Sequence, residues 1–444
     1  MERVASRAAH VGSFLAFRAL VGSHDRQPLS LRTERYSSFW DRCDIVELLT
    51  IAAEGGHFEI VQFALRFEQA RSYARNWVGY NFLLERAIVC SDIVFVDFLL
   101  SDEDLKPEEK TLSERHCLHI AAASADVKMF RLLLEHKDNH VDPQGHNYYG
   151  DTPLHFAARH NNLEIVKFLT SLHTTDLNML NQHGLHPMHL TAMQDSQGDA
   201  METIKYFRTL DQIDINVRDA HGNTLLYHVI RSGKIELLEF LLSVENINPN
   251  LPCDADNHTP LHTAVQWSQK GAVRVLLECG DKLLLNARDS RQLTPVHHAV
   301  VQHDVLALFI DCERLCDIDV LARDKHGNTP LHRAADVGTS SSVELLLQRP
   351  AIRSSINARN SNDETALHLA VRRRTRDAIQ IVKLLLTLDN IRVWLRDNNG
   401  QTALQRSREY GLNENVAALR WFTARKIRKR ILRCVHYPVS SLGQ

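Results

Sequence analysis

The sequence has no CxxC pair. Its eight cysteines are scattered singly along 444 residues, so the chain does not rest on a disulfide framework and suits a reducing compartment. It has no membrane span either. The longest stretch without Asp, Glu, Lys or Arg, Leu177 to Gln194, carries Asn, Gln, His, Pro and Gly. It has almost no net charge. Lys and Arg number 52 and Asp and Glu 54, for a balance of −2, which gives no whole-protein field to draw in nucleic acid or an anionic membrane. It lacks GxxxxGK[ST], HExxH and GxSxG, and with them the phosphate loop, the zinc-protease helix and the nucleophile elbow. What is present is 44 % apolar and 24 % charged residues, a composition that excludes disorder over most of the chain.

Acidic residues are also missing from most of the N-terminus. Residues 3–24 carry Arg3, Arg7 and Arg18, with Val4, Ala8, Val11 and Leu15 at helical spacing. Such a segment could be a mitochondrial transit peptide. A terminal helix pair capping the fold is the favoured reading, because Arg7-Ala8-Ala9-His10-Val11-Gly12 parallels Arg333-Ala334-Ala335-Asp336-Val337-Gly338.

That parallel belongs to a series. The phrase Thr-Pro-Leu-His stands at 152–155, 259–262 and 329–332, and as Thr-Pro-Val-His at 294–297. Weaker copies are Thr365-Ala366-Leu367-His368, Thr402-Ala403-Leu404-Gln405, Thr224-Leu225-Leu226-Tyr227 and His186-Pro187-Met188-His189, with more altered ones around Thr50, Glu85 and His119. The fourth letters run from 50 to 405 in ten intervals of about 35 residues each. A steady period of this size means a stacked array rather than separate globular domains.

Each copy reads as two helices and a turn. Thr caps a helix whose first residue is Pro, where no backbone N–H is missed. The first helix is short and rich in small residues and ends at Gly or Asn: Gly55, Asn161, Gly233, Gly338 and Gly411 are placed there as left-handed caps. A second helix follows with apolar residues at helical spacing, as in Ile235 to Leu242. The polar turn then reads Arg218-Asp219-Ala220-His221-Gly222-Asn223 and Arg323-Asp324-Lys325-His326-Gly327-Asn328, with Gly supplying a positive φ. Arg-Asp recurs at 288–289 and 396–397 and is expected to form a solvated ladder. No single copy can bury its own apolar face, so stacking on neighbours must do it.

These phrases resemble the ankyrin repeat over about residues 4–422. The resemblance implies an all-α ankyrin-repeat solenoid of about 11–12 stacked helix-turn-helix repeats with short hairpin-like turns. Degenerate repeats occupy 1–140, well-matched repeats 141–422, and a basic capping helix and tail 423–444. The resemblance implies a structural, hydrogen-bonding role for His155, His262, His297, His332 and His368, with looser joints where Tyr227 and Gln405 stand instead. It also implies a partner protein along a concave side built from turn tips and exposed first-helix positions. Those positions are Tyr148, Tyr149, His221, Arg291, Lys325 and His326 on turns, with Asp363 and Asn399. On first helices they are Phe156, Arg159, Trp267, His298, Arg333 and Asp336. Trp267 leads, because Trp, Tyr and Arg dominate interfaces.

Candidates for chemistry are few. His183, His186 and His189 form the densest histidine cluster, but His186 and His189 occupy motif positions and no Cys lies nearby in sequence, so no metal and no cofactor is expected. Cys312 and Cys316, one turn apart on a second helix, read as packing residues. Helix pairs leave no room for a second fold, so the chain is expected not to be an enzyme. The basic segment 420–434, from Arg420 through Arg425, Lys426, Arg428, Lys429 and Arg430 to Arg433, interleaved with Trp421 and Ile427, reads first as a capping helix. Its alternatives are a nuclear-import or acidic-partner patch, or a calmodulin or membrane-surface helix. The function these features point to is a protein-interaction scaffold or adaptor, cytoplasmic with the nucleus open. The alternatives are a cryptic enzyme with a groove site and recruitment through the tail.

Overall fold

The computed structural model describes residues 45–105, 113–124, 126–136, 142–194, 197–312 and 317–435. The expectations for residues 3–24, for the first repeat copy and for Cys316 lie outside them. The chain divides into two units, 1–220 and 221–444. In the first, the helices are α1 (Ile45–Glu54), α2 (Phe58–Ala64), α3 (Glu68–Arg75), α4 (Trp77–Val89), α5 (Ile93–Ser101), α6 (Ser113–Ser124), α7 (Val127–Glu135), α8 (Pro153–Arg159), α9 (Leu163–Ser171), α10 (Pro187–Met193) and α11 (Gln197–Arg208). In the second they are α12 (Leu225–Ser232), α13 (Ile235–Ser243), α14 (Pro260–Gln266), α15 (Lys270–Leu277), α16 (Pro295–Ala299), α17 (His303–Asp311), α18 (Pro330–Val337), α19 (Ser340–Leu347), α20 (Pro350–Ser354), α21 (Ala366–Ala370), α22 (Arg376–Leu386), α23 (Ala403–Glu409) and α24 (Asn413–Val435). Beside the helices there is an isolated antiparallel bridge, Arg396 with Thr402.

The repeat phrase folds as its letters require. Thr152, Thr259, Thr294, Thr329 and Thr365 each cap a first helix in a reciprocal box with the His three residues on. The pairs Ala157 and Ala158, and Ala334 and Ala335, are fully buried, which lets adjacent first helices approach closely. The second helices bury their apolar stripes: Ile165, Val166 and Leu169 on α9, and Leu237, Leu238 and Leu241 on α13. Each such side chain contributes about 2 kcal/mol of apolar burial, and its partners lie in the neighbouring repeats rather than in its own.

Three local expectations need correction. Gly338 is not left-handed; its φ is −80°. Glycine is required there because a Cβ would stand 2.8 Å from the Val300 carbonyl and the Ala334 backbone. Beside Gly55, the residue with positive φ is Gly56. Cys312 lies past the end of α17 in extended backbone, not on the helix. Asn161, Gly233 and Gly411 do take the left-handed conformation.

Candidate functional site

The turn before each first helix is a fixed device. Its first residue is Asp or Asn, whose side chain accepts backbone N–H groups two and four residues on. Asn147, Asn181, Asp254, Asp289, Asp324, Asn360 and Asp397 all do this at 2.8–3.0 Å. Two residues before the cap the chain has positive φ every time: Gly150, Gly184, Gly222, Asn257, Gln292, Gly327, Asp363 and Gly400. The Asp members are not solvated as expected. Asp219, Asp289, Asp324 and Asp397 are buried, and Asp289, Asp324 and Asp397 satisfy turn amides there. The Arg members are exposed and reach backbone: Arg288 donates to the Arg323 carbonyl at 2.6 Å, and Arg323 to that of Arg359 at 2.7 Å.

The motif histidines join one repeat to the next. Thr152 N–H and hydroxyl point at Nδ1 of His155, 3.2 and 2.9 Å away, so Nδ1 accepts and Nε2 carries the proton. Nε2 then donates across the joint to the Leu185 carbonyl at 3.0 Å. The same bond runs from His189 to Val217, His262 to Leu293, His297 to Asn328, His332 to Glu364 and His368 to Gln401. His119 makes it to Asp151 although its helix has lost the Thr-Pro start. Burial pushes His155, His262 and His297 down to about 4 and His186 to about 3, and pushes His332 and His368 down as well. These rings are neutral struts. Gln405 still closes the cap box of Thr402, whereas no box forms at Tyr227, and Thr224 faces the Cys253 thiol at 3.8 Å.

This geometry sorts the expected partner residues. Tyr148, Tyr149, His221, Arg291, Lys325 and His326 are exposed on turn tips, as is Asn399, while Asp363 is half-buried. Tyr148 is 85 % exposed and Tyr149 56 %. The first-helix choices point partly inward and have internal work. Phe156 packs edge-on against His119 at 5.0 Å, and Arg159 pairs with Asp151 at 3.0 Å. Arg333 donates to the His297 carbonyl, Asp336 pairs with Arg372 at 2.6 Å, and His298 bonds to Asp289 at 2.8 Å. Trp267 is the C-cap of α14 rather than a helix residue, 49 % exposed, with the Arg231 guanidinium 5.3 Å above its ring.

Sequence reasoning missed a second ladder. Asn250 donates to the Lys282 carbonyl and accepts from Leu284 N–H; Asn286 does the same to Asp317 and Asp319, and Asn357 to Asn390 and Arg392. The signal was an Asn eight or nine residues before the caps at Thr259, Thr294 and Thr365. In the last repeat Trp394 stands at that place, 59 % exposed. His186 and His189 accept helix-start N–H groups and His183 sits exposed on a turn tip. Among the described residues the group that could hold an ion is His258, Asp289 and His298. On the basic segment, α24 runs through residue 435, with the Arg425 guanidinium 5.2 Å over Trp421; the side chains from 426 on lie outside the described ones. No described helix is long and apolar enough to cross a membrane.

Comparison with known proteins agrees with this geometry. The profile described as "Ankyrin repeats (3 copies)" matches residues 84–181 and 188–286, "Ankyrin repeats (many copies)" matches 313–370, and "Ankyrin repeat" 362–398. The match begins inside the segment where the motif letters are degenerate. The chain is 28 % identical over 196 residues to human transient receptor potential cation channel subfamily A member 1, covering 42 % of this chain and 17 % of that protein. It is 34 % identical over 140 residues to human NF-kappa-B inhibitor alpha, covering 30 % and 42 %. The solved ankyrin repeat domain of Bcl-3 aligns over 53 % of this chain and 99 % of its own, at 23 % identity and a TM-score of 0.46. The chain thus spans less than half the length of these curated relatives. With the profiles matching well over half of it, and the capped helix pairs recurring at their period, the chain belongs to the ankyrin repeat family.

Proposed function

We propose that the chain is a protein-interaction scaffold or adaptor that works by presenting its turn tips, without bond chemistry of its own. The observation that carries this reading is the tip at Tyr148 and Tyr149. The two rings meet edge to face with centroids 5.4 Å apart. The backbone beneath them is held by Asn147 and by the bond from Gln182 N–H to the Tyr149 carbonyl at 2.9 Å. Aromatic rings on a pre-set backbone lose little freedom on docking, which is what makes such residues dominant in interfaces. His221, Arg291, Lys325 and His326 repeat the arrangement with polar heads. The relative named NF-kappa-B inhibitor alpha carries in its name an action on another protein, and supports the same class of work here. Cys90 and Cys312 are free thiols, which suits the cytoplasm or nucleus.

The test is affinity capture from lysate with full-length chain and with the Tyr148→Ala/Tyr149→Ala pair. A stoichiometric partner held by the native chain and lost by the variant, at unchanged Tm, supports the reading. Capture that is indifferent to the variant overturns the role of this tip.

A further inference from the structure

We propose that His258, Asp289 and His298 form a binding site for one zinc ion, built across the joint between two repeats. The three residues come from separate places in the second unit: the turn before α14, the turn before α16, and α16 itself. His298 Nε2 lies 2.8 Å from Asp289 Oδ2, and His258 Nε2 lies 3.5 Å from the same oxygen. One ligand atom from each residue falls within 4.8 Å of the other two. Zinc bonds of roughly 2.0–2.1 Å in tetrahedral geometry set ligand atoms about 3.3 Å apart, so the two measured separations straddle the requirement. Two imidazoles and one carboxylate, with a fourth position left over, is a donor set zinc accepts.

The surrounding groups prepare the ligands. Asp254 Oδ2 sits 2.6 Å from His258 Nδ1 and fixes the proton there. The lone pair of His258 is therefore on Nε2, where it faces the Asp289 carboxylate; the Gln266 amide donates to it at 2.9 Å. A carboxylate behind a histidine is the usual outer support of a zinc ligand. Asp289 is oriented in the same way: its Oδ1 accepts from Arg291 and Leu293 N–H at 2.8 Å, leaving Oδ2 turned to the histidines. The side chains of His258, Asp289 and His298 are only 8 %, 1 % and 15 % exposed. His262 is not a ligand, since both of its ring nitrogens serve the helix start and the joint. Gln266 or a water would take the fourth position.

A second joint of the same unit shows what is missing. His258 stands directly before its cap Thr, as Glu364 does. Asp289 stands five residues before the next cap, as Asp397 does, and His298 four after it, as Arg406 does. At that joint the Arg406 guanidinium bonds Glu364 and lies 3.3 Å from Asp397. A built-in cation thus bridges the two turns. At the His258 joint imidazoles occupy both flanking positions around a buried carboxylate oxygen, and an ion held among them would take the place of that guanidinium.

The full-length chain, stripped with a strong chelator, should be titrated with Co2+ and then Zn2+. The expected result is one equivalent of cobalt with the visible absorption of tetrahedral coordination, displaced by one equivalent of zinc, and a Tm raised by zinc. His298→Arg copies the Arg406 arrangement, and so should fold while losing the band and the zinc-dependent Tm rise. Asp254→Asn should weaken zinc about 10–100-fold. A native chain that takes up no tight equivalent overturns the proposal. So does retention of the tetrahedral band by His298→Arg, which would place the ion elsewhere among the histidines. Should His298→Arg fail to fold, His258→Gln read by the same titration decides in the same way.

Discussion

His332 Nε2 lies 3.1 Å from the carbonyl oxygen of Glu364, a residue 32 positions further along the chain. The same ring accepts, through Nδ1, the backbone N–H and hydroxyl of Thr329, its own helix cap. One imidazole therefore finishes one helix and fastens the next turn. Replacing His332 by Ala orphans groups on both sides and is expected to cost about 3 kcal/mol. Gln, which closes the box at position 405, is expected to recover the cap but not the cross-joint bond, so His332→Gln should fall between Ala and native in urea denaturation.

Acid should loosen the array. The unfolded-state value of a histidine is near 6.5, while folded His155 sits at about 4 and His186 at about 3, because burial disfavours their charged forms. His332 and His368 are lowered for the same first reason. Above pH 6.5 neither state binds the proton, and stability is intact. Between about 6.5 and 4 the unfolded chain binds protons that the folded chain refuses, so stability falls as pH falls, by about 1.4 kcal/mol per pH unit for each such histidine. Denaturant midpoints should hold between pH 8 and 7 and drop steadily from 6.5 to 5, with proton uptake on unfolding measurable by calorimetry. A flat midpoint over that range would rule out neutral buried rings.

The left-handed turn position separates two kinds of glycine requirement. Gln292 occupies it with φ +60°, a conformation costing a side-chain-bearing residue about 1–2 kcal/mol. Gln292→Gly should stabilise, by up to about 1 kcal/mol after the entropy of the added glycine is counted. Gly184 has φ +67°, and a Cβ there would fall 2.3 Å from the Ala220 amide nitrogen. Gly184→Ala should destabilise by at least about 2 kcal/mol. Thermal melts of the two single variants, moving in opposite directions, check both.

Arg406 is buried against Glu364 and Asp397. Arg406→Met leaves two nearly inaccessible carboxylates without their cation and should cost about 3–5 kcal/mol. Adding Glu364→Gln and Asp397→Asn should restore most of it, because the uncompensated charge goes with them. A triple variant no better than Arg406→Met would mean that packing, not charge, is the cause.

The period and the capped helix starts were legible in the letters because each depends on one residue type at one spacing; the structural, hydrogen-bonding role of the motif histidines came from the resemblance to the ankyrin repeat, and their bond to the next repeat's carbonyl came from the structure. The placement of Tyr148, Tyr149 and Lys325 on exposed tips was legible for the same reason. Gly338 was misread because a close approach to Val300 and a left-handed cap both select glycine, and only coordinates tell them apart. The inward commitment of Arg333 and Asp336 was not legible, since each finds its partner in a neighbouring repeat, whereas Arg159 turns back to Asp151 in the turn before its own helix. The His258, Asp289 and His298 grouping escaped for a related reason. Metal reasoning on sequence looks for ligands close together, and these are spread over forty-one positions, from 258 to 298.

The bonds by which the motif histidines and the Arg and Asn ladders cross a joint end on main-chain atoms. His155 reaches a carbonyl, Arg288 another, and Asn250 and Asn286 each take one carbonyl and one amide. A main-chain atom is the same whichever residue carries it. Through those bonds a repeat within either unit recognises its neighbour's shape and not its letters, while pairs such as Arg372 with Asp336 and Arg406 with Glu364 add letter-specific fastening at single joints. Duplication, loss or exchange of a whole period would leave the main-chain part of the fastening intact, while the tips are free to diverge toward new partners.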